Sequence, residues 1–419
     1  MEYLTPNFTK DMLDTYTILV PNMAVNQFTL IKAAMESEGY HIELLQDGSS
    51  EAAQKGLKYV HNDTCYPALL IIGQFIEALE SGKYDLHHTA LLITQSGGGC
   101  RASNYIKLLR KALVKAGYSY IPVASANVSG LEEGSCMPIT PDLIKKLLAA
   151  AEYGDEIDAL YHQTKPYEEH AGDAQQHLTY WLDTVSLWLK KNENISLHSM
   201  KKQFHTIADD FATIKINYTP KVKVGVVGEI FVKFSPIGNN HLVEFLEEQD
   251  CEVNLPGLMG YIEYCLANWK IDTKLYGIDK WIGTGSGALL DIVDSCGIQM
   301  SKAMKEAGFY APGSFHELMK KPNGILSLGV KMGEGWLLTG EILELIEGGY
   351  DNIICAQPFG CLPNHIAGKG VINKIRSLHP NANITAVDYD PSSTRVNQEN
   401  RIKLMLAVAK EKLDLQYKR

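Results

Sequence analysis

The sequence predicts an α/β protein in which two doubly wound parallel-sheet domains are joined by a helical segment. Three observations lead there. At 419 residues the chain exceeds one ordinary domain of ~150 residues. Strand-like and helix-like segments alternate in the first third and again after Lys221. The two alternating regions also resemble each other. Gly73-Gln-Phe-Ile-Glu-Ala-Leu-Glu-Ser-Gly-Lys-Tyr-Asp85 precedes one strand, and Gly340-Glu-Ile-Leu-Glu-Leu-Ile-Glu-Gly-Gly-Tyr-Asp351 precedes another. Those strands end at Gln95 and Gln357, and each enters a glycine-containing loop with a cysteine, Ser-Gly-Gly-Gly-Cys100 and Pro-Phe-Gly-Cys361. A repeat of this kind points to duplicated domains.

The elements follow in order. Thr15 to Pro21 reads as a buried strand, and 26–38 has helical periodicity closed by Gly39. A strand over 41–46 is followed by helices over 50–60 and 66–80. The strand 88–95, the SGGG turn, a helix over 101–115 and a strand over 121–127 complete the first domain, 1–137. Strand signals fade across 138–220, where helices are expected over 144–159, 174–191 and 198–214. From 221 to 419 a second domain runs: strand VKVGVVGEI, a helix over 240–249, strand NIICAQ, a helix over 364–377, strand NITAVDY and a long last helix.

Composition narrows the function. The content is 45% hydrophobic and 21% charged, which excludes a disordered chain. A net charge of −10 argues against nucleic-acid or anionic-membrane binding. No run approaches the ~18 apolar residues of a membrane span. The polar start, MEYLTPNFTKDMLD, does not read as a secretory signal, so a cytoplasmic location is expected. Eight cysteines without an export signal then suggest metal or redox chemistry rather than disulfides.

Cys100 and Cys361 fall in loops after a strand's C-terminal end, where open α/β sheets bind ligands. Helix N-termini there offer free N–H groups and partial positive charge, which favour thiolates and an anionic iron–sulfur cluster. Gly97, Gly98 and Gly99 let the backbone approach a bulky ligand. Cys65, in His61-Asn-Asp-Thr-Cys-Tyr-Pro67, opens a helix with Pro67 in its first turn. Cys251, Cys265 and Cys296 read as core thiols, and Cys355 lies inside a strand. Cys136, in Gly134-Ser-Cys-Met-Pro138, stays open between the two roles. Spacing alone specifies no metal centre, since there is no CxxC and no compact ferredoxin-type run.

The motifs HNDTCYPALLIIGQ, TQSGGGCRASNY, VGVVGEI and QPFGCLPNHIAGKG, with DYDPSSTRVNQENRIKLML, resemble the 2-hydroxyacyl-CoA dehydratase and benzoyl-CoA reductase superfamily. The nearest branch is the dehydratase-like region of long CoA-substrate-specific enzyme activase proteins. The resemblance covers nearly the whole chain, and its three cysteine motifs are specific. It implies two Rossmann-like (flavodoxin-like) domains with a cluster in the cleft between them. It also implies a 4Fe–4S cluster on Cys65, Cys100 and Cys361 with one iron open. A double-cubane 8Fe–9S cluster, as in a related branch, would need Cys136 or Cys355 as well. The resemblance further implies an ATP-dependent activator as electron donor, a small-molecule or acyl-CoA substrate, and a homodimer or heterodimer. No G-x-x-x-x-G-K-[ST] motif is present. Gly283-Thr-Gly-Ser-Gly287 and Gly368-Lys-Gly370 read as turns, so this chain would accept electrons rather than hydrolyse ATP.

Around an open iron, proton carriers and orienting groups are needed. The repeat places Glu334 where the first half has Cys65. Glu229 follows a strand at the same sheet edge, and His365 joins them as a third candidate. Gln95, Gln357, Asn104 and Asn364 sit in or beside the cysteine loops. Each could hydrogen-bond sulfide or substrate, or simply cap its loop. Asp388 and Asp390 read as turn formers, and Arg101 and Lys369 as surface charges that could meet CoA phosphates. An electron-transfer or cluster-carrier protein without its own substrate is the alternative reading, and a scaffold that has lost its cluster is a third.

Overall fold

The computed structural model describes residues 5–46, 51–95, 99–127, 140–277 and 280–417. Among them are two four-stranded parallel sheets. The first runs in the order β2-β1-β3-β4 (β1 Thr17–Pro21, β2 His41–Leu45, β3 Thr89–Gln95, β4 Val123–Asn127). The second runs β6-β5-β7-β8 (β5 Val222–Gly228, β6 Cys251–Asn254, β7 Asn352–Pro358, β8 Asn383–Tyr389). Strand for strand, the order is the same. The central strands β5 and β7 are buried along almost their whole length, as parallel strands covered on both faces are.

In the first half the helices are α1 (Val25–Glu36), α2 (Ala52–Tyr59), α3 (Tyr66–Glu80) and α4 (Tyr105–Ala116). The middle of the chain forms α5 (Pro141–Thr164), α6 (Asp173–Lys191) and α7 (Leu197–Ala212). The second half adds α8 (Ile230–Phe234), α9 (Pro236–Asn239), α10 (Leu242–Glu248), α11 (Met259–Tyr276), α12 (Lys280–Glu306), α13 (Phe315–Leu318) and α14 (Trp336–Glu347). It ends with α15 (Leu362–Ala367), α16 (Ile372–Leu378) and α17 (Arg395–Tyr417). Among the described residues no helix is long and apolar enough to cross a membrane.

One expectation is overturned here. Gly283 to Gly287 is not a turn but lies inside α12. A Cβ on Gly283 would collide with Thr273 of α11, and one on Gly287 would press on Lys270. The two glycines, one turn apart, let α11 and α12 approach closely, and that contact overrides their poor helix propensity. Cys251, Cys296 and Cys355 are buried as expected, and the Cys355 thiol donates to Asn364 Oδ1 at 3.3 Å. Cys136 and the 128–139 segment lie outside the described residues.

Among the described residues five apolar cores hold the layers. One of them joins α1 from the first half, α5, α6 and α7 from the middle, and α12 from the second half around Leu30, Tyr153, Phe204 and Met304. A polar clamp reinforces it. Asp155 of α5 accepts from Gln27 Nε2 of α1 at 2.9 Å and from the N–H groups of Leu258 and Met259, at the start of α11, at 2.9 and 2.8 Å.

The α2–α3 crossing aims Cys65. A Cβ on Gly56 would strike the carbonyl of Leu69, and one on Gly73 the carbonyl of Ala52. Backbone therefore meets backbone at this crossing, and the loop between the helices carries Cys65 to the sheet edge. Gly73→Ala should lower stability by about 1–3 kcal/mol through overpacking, measured by urea denaturation. A conservative surface change on the same helix, Glu80→Gln, should cost well under 1 kcal/mol, since it removes only a solvent-facing ion pair with Lys55.

Candidate functional site

The site is built where strand ends meet helix starts in both sheets. Cys65 is the residue that opens α3, Cys100 precedes a short 3-10 turn leading into α4, and Cys361 opens α15. The two halves touch there through backbone. Tyr66 N–H donates to the Phe359 carbonyl at 3.0 Å. Gly360, at φ +73°, lies so close that a Cβ would come within 3.1 Å of Cys65 Cα. Gly99 N–H donates to Met332 Sδ at 3.1 Å, and the Cβ position of Gly333 is 3.8 Å from Cys100 Sγ. Glycines thus line the seam wherever a side chain would hold the halves apart.

Cys65 and Cys361 are buried and Cys100 is half-buried; all three are free thiols. The Cys65 sulfur lies 2.9 Å from the Tyr105 hydroxyl. Burial raises the Cys65 thiol above the usual range. It pushes Cys100 up to about 12, with the charges of Glu334, Glu229 and Cys65 adding to the effect. Cys361 is driven higher still by burial, then by Glu334, Glu229 and Cys100. Thiols in each other's field without a compensating cation stay protonated, and a metal that binds them displaces the protons.

Both candidate carboxylates stand at the start of α8. Glu229 caps it, accepting from Val232 N–H at 2.9 Å, and Glu334 Oε1, from the loop before α14 in the same half, accepts from Ile230 N–H at 3.0 Å. Both are buried, and burial raises the pKa of each; the Glu334 charge raises Glu229 further. Behind them Lys233, also buried, pairs with Glu341 at 3.3 Å and donates to the Pro256 carbonyl at 3.0 Å.

The other expected residues are placed less uniformly. Gln357 is fully buried, with Nε2 donating to the Pro358 carbonyl at 2.8 Å and Oε1 left without a partner. Asn364 is a loop brace, its Nδ2 bonded to the Ala356 carbonyl at 2.9 Å. Asn104 stands at the start of α4, half-buried, with no capping bond. His365 is exposed on α15. Gln95 ends β3, Gly99 reaches Met332, and Gly97 and Gly98 lie outside the described residues. Asp390 accepts from the N–H groups of Ser392 and Ser393 and fixes the turn before α17. Lys369 is committed to Asp388 at 3.0 Å.

Cys265 is a correction. Expected in the core, it is exposed on α11, and Tyr261 and Tyr264 of that helix lie in the fields of both Cys265 and Cys100. Whether a helix residue faces a cleft depends on what packs opposite, so no local signal marks it. The sequence reading also passed over Asn22. It follows β1 as Glu229 follows β5, and its buried amide has no partner on either atom. The repeat, extended by one strand, would have found it.

Among the described residues no three His, Cys, Asp or Glu side chains converge on one ion-sized point. Cys65, Cys100 and Cys361 are the residues that could hold an iron–sulfur group, to which soft thiolates are suited. No family model and no curated protein matches this chain. The family expectation accordingly rests on the motifs and on this geometry.

Glu334 raises the neighbouring thiols by its negative charge, so Glu334→Gln should lower their pKa. At pH 9, in metal-free protein, alkylation of Cys100 and Cys361 should accelerate several-fold, each unit of pKa being tenfold in thiolate. Mass spectrometry of iodoacetamide-treated samples reads this directly.

Proposed function

We propose that this chain is an iron–sulfur enzyme of the 2-hydroxyacyl-CoA dehydratase-like type. Its two sheets would be Rossmann-like domains, with the cluster in the cleft between them. It would accept low-potential electrons from an ATP-dependent activator and dehydrate or reduce a small or CoA-linked substrate. The observation that carries the reading is the meeting of Cys65, Cys100 and Cys361, drawn from both halves, beside two buried carboxylates at one glycine-lined seam.

When bound through the three thiols, the cluster supplies one-electron transfer and an open iron that polarises a substrate oxygen. The chain's own residues supply the rest. Glu229, pushed up to about 8 by burial and then by the Glu334 charge, can carry a proton near neutral pH, and burial raises Glu334 as well. The free Gln357 carbonyl oxygen accepts a hydrogen bond from a substrate or sulfur-bound proton. Burial keeps water from the Cys65 and Cys361 thiols.

Protein purified without oxygen should be brown and carry about four irons per chain. Cys361→Ser should lose most of that iron, while Cys296→Ser, altering a core thiol, should keep it. Colourless wild-type protein with iron near zero after reconstitution would falsify the reading, and about eight irons would favour the double-cubane cluster. ATP should change the cluster's redox state only when an activator ATPase is added. Rapid hydrolysis of ATP by the chain alone would overturn the division of labour.

A further inference from the structure

A second polar feature lies away from the thiols, where α5, α11, α12, α13 and α14 meet the loop after β6. It is a cavity of about 120 Å³. Six carboxyl groups line it: Glu152 and Asp155 from α5, Glu263 from α11, Asp294 from α12, and Glu341 and Glu344 from α14. Among the described residues no Lys, Arg or His lines it.

Four of the six have structural work. Asp155 caps α11, and Asp294 accepts from Phe315 N–H at 2.6 Å. Glu341 pairs with Lys233, and Glu344 accepts from Gly313 N–H at 3.2 Å. Glu152 and Glu263 are different. Glu152 is only 3% exposed; the Cys296 thiol hydrogen-bonds its carboxyl, but its Oε2 has no partner. Glu263, 9% exposed, lies in the fields of Glu152, Asp294, Asp155 and Glu344. An unpartnered buried carboxyl costs several kcal/mol if ionised, so such a site stays protonated or takes up a cation.

The form of the cation follows from the geometry. No three acidic side chains converge on one point among the described residues, so a compact metal ion is not matched. Met259, Met300, Met304, Phe315 and Leu345 give the cavity apolar walls between the carboxyls. Its volume is close to that of cavities, ~150 Å³, that admit a benzene-sized molecule. Ser301, Pro312, Gly313 and Ser314 also line an open surface depression, which gives a way in from solvent.

We propose that this cavity binds a small organic cation, an alkylammonium or guanidinium compound, with its N–H groups on Glu152 and Glu263 and its carbon body against the methionines. The proposal does not depend on the iron–sulfur reading.

Burial, and then the neighbouring carboxylates, push Glu263 up to about 9 and Glu152 up to about 8. The titratable groups facing them are Asp155 and Glu156 on α5, Asp294 and the Cys296 thiol on α12, and Glu341 and Glu344 on α14. Lys233 lies behind Glu341, and His316 is near Asp294 on the outer side. Cation binding must therefore release protons, and affinity should rise with pH, up to tenfold per unit, until about pH 9.

The probes are methylguanidinium and n-propylammonium, titrated by calorimetry against the full chain at pH 7.5, with 1-propanol as the neutral match. Either cation should bind with a heat that depends on the buffer's protonation enthalpy, and 1-propanol should not. Glu152→Gln and Glu263→Gln should each weaken binding at least tenfold, while Glu80→Gln, on α3 and outside both the cavity and the depression, leaves it unchanged. Failure of both cations to bind, equal binding of 1-propanol, or binding of Mg²⁺ or Ca²⁺ instead would each overturn the proposal. Folding of the variants supplies an independent readout. The Glu263 carboxyl is protonated in the folded state at pH values where the unfolded chain has lost that proton, so its presence lowers stability as pH rises from about 5 to about 9. Glu263→Gln should raise Tm at pH 8 and barely change it at pH 5. An unchanged Tm at pH 8 would remove the uncompensated carboxyl on which the site depends.

Discussion

The N–H of Tyr66 donates to the carbonyl of Phe359 across the seam between the halves, and that bond requires two loops to meet with no side chain between them. Gly360 satisfies the requirement directly, since it sits at φ +73° and a Cβ there would press on the backbone of Cys65 at 3.1 Å. Farther from the seam, Gly56 and Gly73 let α2 and α3 cross closely enough to deliver Cys65 to that loop. The placement of a sulfur atom therefore depends on glycines some distance from it. Side chains at these positions would meet backbone and displace the thiol.

Electrostatics sets a second constraint. The seam and the cavity behind it contain many carboxyl groups and very few cations. Lys233 is the buried cation between them, held by Glu341 and by the Pro256 carbonyl. Removing it would leave Glu341 buried and unpaired, which costs far more than the pair contributes when intact. The helix N–H groups at the start of α8 take part of the load from Glu229 and Glu334. Negative charge is thus balanced locally near the thiols, whereas around Glu152 and Glu263 it is not.

Much of the architecture was legible because it is local. The helix expected over 66–80 and the strand over 383–389 form as α3 and β8 with the same bounds, since both carry strong periodicity and clear punctuation. The repeat led from Cys65 to Glu334, and the structure brings that carboxylate into the field of Cys100 and Cys361. What could not be read was set by contacts between distant segments. The glycines of α12 look like a turn until α11 lies against them. Cys265 looks like core until the packing around α11 is known, which leaves it exposed. Sheet order is also beyond local signals, and only the structure gives both sheets the sequence 2-1-3-4.

The helical core that unites α1, α5, α6, α7 and α12 has a mechanical consequence. Leu30 and Ala33 belong to the first half and Ala303 and Met304 to the second, yet they share one apolar interior. The Gln27–Asp155–Met259 clamp crosses the same junction. Swinging the halves apart as rigid jaws would tear that interior open and expose its aromatic residues to water. Large-amplitude hinge bending is therefore energetically closed to this chain. Any ligand that reaches the thiols must be admitted with the two halves still joined.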